Sequence, residues 1–169
     1  MELLIPGLLL VALMVWASTK IKKQAADAFN AEFIETANYS LQKPEGFLHV
    51  IGSEEHEFMA YSSEFGKGDH AGRRQATIEI DAFLGDDPEV IRDSVIESAS
   101  RSEVTEETRT ICKLETDEAA NEIAVRAFYR IDSGNGTVYR LRFAVLPEHL
   151  QEYQRKIEEA LGSFAIKTN

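Results

Sequence analysis

Apolar residues fill positions 3 to 17 without a break (LLIPGLLLVALMVWA), then give way to Ser18-Thr19 and to Lys20, Lys22 and Lys23. From Leu3 through Ile21, with Lys20 snorkelling, the run would form a helix of about 28 Å at 1.5 Å per residue, close to a hydrocarbon core of about 30 Å. The pattern predicts a transmembrane anchor over residues 1–21. Pro6 falls in the first turn, where its missing N–H costs little, and Trp16 stands near the lysines as an interfacial aromatic should. A cleaved signal peptide is the competing reading, with Val15 and Ala17 at the minus-three and minus-one positions, but only Glu2 precedes the apolar core. A buried core helix of 15 consecutive apolar residues with no polar face would be unusual in a domain this small.

Residues 22–38 favour helix and place Phe29 and Phe33 on an i+4 stripe with Ile21 and Ala25, predicting an amphipathic helical stalk. The stripe packs on its own domain, on a partner helix or along the membrane interface. Residues 39–169 then read as one globular domain. Strand signals cover Tyr39–Lys43, Phe47–Ile51 and Glu57–Phe65, and Ala76–Leu84 alternates strictly. Asp87-Pro88-Glu89 opens a helix running to about Arg101, with an acidic N-cap and Pro at its first position. A charged connection leads to a strand at Thr108–Leu114 and a turn at 115–118. Two long strands, Glu122–Ile131 and Thr137–Leu146, flank Ser133-Gly-Asn-Gly136. A last helix opens at Pro147 and stops at Gly162. The order predicts class α+β: an N-terminal transmembrane helix followed by an antiparallel sheet with packed helices.

Charge sharpens the placement. From Gln24 onward the chain has 15 basic and 28 acidic residues, a net charge of −13, so it carries no general electrostatic footprint for nucleic acid. Three lysines follow the apolar run and none precedes it. The positive-inside bias then puts the domain on the cytoplasmic side of the plasma (inner) membrane, as a single-pass protein, with an exported domain as the alternative. The single cysteine, Cys112, excludes an intramolecular disulfide.

Tyr39-Ser-Leu-Gln-Lys-Pro-Glu-Gly-Phe47, a helix between strands in mid-chain and a last helix running into Gly162-Ser-Phe164 together resemble the PsbP/Mog-type α/β/α sandwich over residues 39 to 166. That group includes a photosystem subunit of the thylakoid lumen, a Ran-binding nuclear import factor and many anchored bacterial domains. The resemblance implies a non-enzymatic accessory or binding module.

Few residues suggest chemistry. Gly66-x-Gly68-x-x-x-Gly72 resembles a phosphate loop, but a strand follows it, so no helix N-terminus stands ready for phosphate. Glu54-Glu55-His56 and Asp69-His70 lack further metal ligands at a recognisable spacing. His49 and His149 have no partner identifiable from sequence, Cys112 has no Cys-His-Asn context and defaults to a small core residue, and no serine lies in an elbow motif. No cofactor or metal is expected, and no enzymatic activity.

One constellation stands out. If Tyr129 lies opposite Tyr139, Ala127 opposite Leu141 and Val125 opposite Phe143, the other sheet face gathers Arg126, Phe128, Arg130, Arg140 and Arg142. Arg126 then directly faces Arg142. Such a patch would suit an interface centre, unless Glu79 and Asp81 of a neighbouring strand neutralise it. The expected function is that of a membrane-anchored accessory or scaffold subunit. Its N-terminal helix sits in lipid, and its acidic domain docks on a membrane protein complex through the arginine face or through Phe29 and Phe33. The alternative is a tethered small-ligand-binding or enzymatic domain, which would need a concave polar pocket.

Overall fold

The computed structural model describes residues 13–20, 27–120 and 123–167. Residues 13–20 are helical, and a short turn, Asn30 N–H donating to Asp27 O at 3.1 Å, precedes the first strand. Ten strands and two helices follow: β1 (Glu32–Glu35), β2 (Tyr39–Lys43), β3 (Phe47–His49), β4 (Phe58–Ser62), β5 (Ala76–Leu84), α1 (Pro88–Ser98), β6 (Arg101–Glu107), β7 (Ile111–Ala120), β8 (Ile123–Gly134), β9 (Thr137–Val145), α2 (Leu150–Ser163) and β10 (Ala165–Ile166). They build a mixed fold of antiparallel sheets and packed helices, as the order of elements implied.

The larger sheet has seven strands in the order β3-β4-β5-β9-β8-β7-β6, and the smaller has three, β1-β2-β10. Every strand alternates its side chains, so each face of the large sheet needs its own cover. On the first face, Ile78, Ile80, Leu141 and Phe143 pack under Tyr153 and Ile157 of α2 and under Tyr39 and Leu41 of β2. Phe143 meets Phe47 edge-on at 5.4 Å, and Phe47 meets Tyr153 at 5.9 Å. Such pairs add about 0.5–1.5 kcal/mol each beyond the area they bury. On the second face, Ile91 and Val95 of α1 cover Leu114, Tyr129 and Ile131. α1 starts as its sequence dictates: the Asp87 carboxylate accepts from Glu89 N–H at 2.9 Å, with Pro88 at the first helical position.

Three expectations require correction. The helical stalk over 22–38 does not extend through Phe33, because Glu32–Glu35 pair with β2 as an edge strand in which only Ile34 is buried. Phe29 lies in the turn and Phe33 in the strand after it, so the two do not share a helix face, while Ile21 and Ala25 lie outside the described residues. The turn expected at 115–118 lies inside β7: Glu115 and Asp117 pair with Arg126, while Thr116 and Glu118 point into the second face. The helix expected to reach Arg101 ends at Ser98, and the charged connection is itself strand β6, exposed along its whole length.

The β8–β9 register is also different. Asn135 and Gly136 have φ values of 54° and 74°, so they form a two-residue turn that closes on the Gly134–Thr137 pair. Tyr129 therefore faces Arg142, Ala127 faces Ala144 and Phe128 faces Phe143. Side chains of β9 fall on the face opposite to that expected. Both faces are covered and both are apolar in places, so the hydrophobic pattern alone left the register open.

Candidate functional site

The shifted register divides the arginines between the two faces, and each has carboxylate partners within the domain. On the first face, Arg126 donates to Asp117 and Glu115 at 2.8 Å each. Arg130 grips the buried Asp132 at 2.8 Å and donates to Leu161 O at 2.6 Å, capping the last turn of α2. Phe128 packs beside them against the first core. On the second face Arg140 donates to Asp81 at 2.7 Å, and Arg142 to Glu79 at 2.9 Å. Glu79 and Asp81 lie directly opposite these two arginines on β5, the neutralising arrangement weighed from sequence. Arg126 and Arg142 do not face each other.

Arg142 is the hub of a polar cluster. Its Nε donates to Tyr129 Oη at 3.0 Å, its Nη1 to Glu79 and its Nη2 to Glu118 at 2.9 Å. Glu118 also accepts from Thr116 and from Tyr129, both at 2.6 Å. Burial pushes the Tyr129 hydroxyl well above the usual tyrosine range. Burial would also raise the Glu118 carboxyl, but the hydrogen bonds from Thr116 and Tyr129 and the Arg142 charge outweigh it and hold it below its ordinary value. Burial opposes the Arg142 charge, yet Glu79, Tyr129 and Glu118 together raise its affinity for its proton. Arg142 and Glu118 are thus both held in their charged forms.

Glu79 and Arg142 of this cluster form the floor of a groove, because α1 is too short to cover its face. Eleven residues of helix span about 16 Å, whereas the nine of β9 span about 30 Å. The uncovered end is a cavity of about 370 Å³, with Glu79 and Arg142 below, Val125, Ala144 and Ile123 along one wall, and Arg73 and Arg74 at the loop side. That volume lies at the lower end of the range of small-molecule sites. Neither Arg73 nor Glu118 was singled out from sequence. An Asn-Gly turn read for register would have brought Tyr129 opposite Arg142, whereas Glu118 joins them through the separate β7–β8 pairing.

A second cavity of about 440 Å³ is acidic and polar. There His56 Nδ1 lies 2.7 Å from Asp81, whose other oxygen accepts from Arg140. Glu54, Glu55 and Glu57 form its mouth. Among the described residues, no three His, Cys, Asp or Glu side chains are grouped to hold a metal ion. His70 meets Glu148 at 2.6 Å, and His49 stacks on Phe58 at 4.7 Å between ring centres. Cys112 is buried beside Leu114 in the second core. The Gly66–Gly72 stretch is a loop with a single 3-10 turn, Gly68–His70, leading into β5.

Of the residues assigned to the membrane, Leu3, Lys22 and Lys23 lie outside the described residues. Trp16 is 63 % exposed, with the Lys20 ammonium 5.2 Å from its ring centre. Among the described residues, no helix is long and apolar enough to cross a membrane. Phe29 is half-buried, its carbonyl accepting from Gly46 N–H at 2.7 Å, while Phe33 is 59 % exposed on the edge strand.

The chain matches no protein-family profile and no curated protein sequence. Its fold is PsbP-like. The solution structure of cyanobacterial PsbP (CyanoP) from Synechocystis sp. PCC 6803 superposes with a TM-score of 0.57 at 9 % identity, covering 82 % of this chain and 94 % of that one. The crystal structure of LpqN, involved in cell envelope biogenesis of Mycobacterium tuberculosis, gives a TM-score of 0.54 at 10 % identity, covering 82 % and 91 %. At these identities the likeness defines the fold alone.

Proposed function

We propose that this protein is a membrane-tethered, non-catalytic accessory module, held by the apolar segment around residues 1–21 and docking on a membrane protein complex through the edge that carries Phe33. One observation supports it above the others: Leu13, Met14, Val15 and Trp16 are each at least 60 % exposed, so the domain leaves this apolar helical surface uncovered. A bilayer satisfies such a surface, whereas water does not. The domain side of the tether is firmly attached. The wholly buried Lys43 ammonium donates to Asn30 O and Phe47 O at 2.6 Å and reaches Ala28 O at 3.5 Å. Phe33 stands three residues beyond this fastening on β1, an edge strand of the smaller sheet. The arginines are poorer docking candidates, since their carboxylate partners lie in their own sheet. Lys20, Lys22 and Lys23 favour a cytoplasmic domain.

The test is the native size of the full chain, solubilised from its own membrane in mild detergent, beside a Phe33→Glu variant. The wild type should migrate as a defined complex, with the variant released from it at unchanged melting temperature. A wild-type chain that migrates alone would overturn the docking proposal.

A further inference from the structure

We infer that the groove between β5, β9 and the start of β8 binds a small carboxylate carrying an apolar or aromatic body. The inference is independent of the tether and of any docking at Phe33.

The groove has a wall for the body. Val125, Ile123 and Ala144 line one side of a cavity of about 370 Å³, enough for a bicyclic aryl group or a short alkyl chain. Burying such a body there removes apolar surface from water on both partners.

The groove also has a charge that selects the head. Its lining includes Arg73, Arg74 and Arg142 against the carboxylate of Glu79, and with Glu118 bound to Arg142 the balance is three positive charges to two negative. In a chain whose residues from Gln24 onward carry −13, this is a local reversal of sign. Arg142 is committed within the domain: its Nε, Nη1 and Nη2 each donate there, to Tyr129, Glu79 and Glu118, and the two carboxylates offset its charge. Arg73 and Arg74 differ: among the described residues neither forms an ion pair. Arg73 is exposed at the mouth. Arg74 is held rigidly, its guanidinium 4.0 Å from the Phe65 ring centre and 4.2 Å from that of Tyr61. Its Nη1 donates to Ser62 O at 3.2 Å and Ser63 O at 3.0 Å. A guanidinium so clamped loses little freedom when a carboxylate arrives, and the planar fork suits a carboxylate better than a single ammonium would.

The acidic cavity at His56 provides a contrast within the same molecule. With Glu54, Glu55 and Glu57 at its mouth, it repels the head that the groove attracts.

The experiment uses the full chain in phosphatidylcholine nanodiscs, with empty nanodiscs as the control for partition. Naphthoate is titrated while amide chemical shifts are followed by two-dimensional NMR, and naphthylmethylammonium serves as the cationic counterpart. Naphthoate should shift Thr77, Val125 and Ala144 in a saturable manner and leave Glu55 and Phe83 unmoved. The ammonium compound should shift none of them. Arg73→Glu, at an exposed position, should weaken naphthoate by about tenfold or more, as loss of a charge-assisted hydrogen bond implies. Val125→Phe, which fills the groove with another apolar side chain, should abolish the shifts. Melting temperatures establish that both variants fold, and if Val125→Phe does not, Arg73→Glu decides alone. Absence of saturable shifts, equal response to the cation, or unchanged affinity in a folded Arg73→Glu protein would overturn the inference.

Discussion

Replacing Arg142 with Met should be among the most damaging single changes on the second face of the sheet, and the damage should be electrostatic. The Arg142 side chain is 17 % exposed, and the carboxylates it neutralises, Glu79 and Glu118, are 16 % and 12 % exposed. Methionine fills similar volume, so little packing is lost, but two largely buried negative charges lose their counter-charge. Breaking a buried pair in this way costs about 3–5 kcal/mol. The groove admits some water, so we expect about 3 kcal/mol, a fall in melting temperature of about 10 °C for a domain of this size. Adding Glu79→Gln and Glu118→Gln removes the stranded charges and should restore about 1–2 kcal/mol. The pH dependence carries an independent sign. In the wild type the Glu118 pKa is lowered on folding from its ordinary 4.5, so its contribution is present above that value and lost as pH falls through the folded value. Without Arg142 the carboxyl loses a charge that lowers it and rises, so Arg142→Met should lose less stability than wild type on acidification from neutrality. Urea denaturation across pH reads both effects. A cost below about 1 kcal/mol, typical of solvent-exposed pairs, with no change in pH profile would refute the reasoning.

Other consequences follow from single residues. Burial pushes the Tyr39 hydroxyl up from 10.0 to about 12, so its contribution is complete below pH 10 and lost as pH rises from 10 to 12; tyrosinate absorbance should increase together with unfolding in that window, and Tyr39→Phe should shift the alkaline midpoint upward. Lys43→Met removes the donor from Asn30 O and Phe47 O and should cost about 2–3 kcal/mol, with proteolysis appearing first near Asn30. Burial lowers the Lys43 pKa, so Lys43 itself favours the folded state increasingly as pH rises toward 10.5, and this slope should vanish in the variant. A cysteine placed at Ile51, which is 90 % exposed, should escape a membrane-impermeant maleimide in intact cells if the domain is cytoplasmic, with the buried Cys112 contributing no background. Strong labelling would reverse the orientation.

The elements legible in the sequence are those that a local rule fixes. β5 followed from the alternation of Ala76, Ile78 and Ile80, α1 from Asp87-Pro88, and α2 from the apolar face of Tyr153 and Ile157. The rest depended on partners distant in sequence. β1 carries one buried residue, Ile34, and owes its strand form to hydrogen bonds from β2. β6 is exposed throughout, so no burial pattern marks it, and its acidic side chains suit an open edge. The groove was not legible for a related reason. Its arginines come from the loop before β5 and from β9, its wall from β8, and the β8–β9 register hinges on the Asn135-Gly136 turn.

The central claim, that the apolar segment serves a membrane and not the domain, is tested most directly at Leu13 and Val15, which are 66 % and 60 % exposed. The full chain carrying Leu13→Arg and Val15→Arg is compared with wild type for retention in the membrane fraction after alkaline carbonate extraction, alongside the melting temperature of each. The account predicts that the double variant leaves the membrane while the domain melts as before. A variant retained like wild type, or a domain that melts early because these side chains had supported it, would contradict the account.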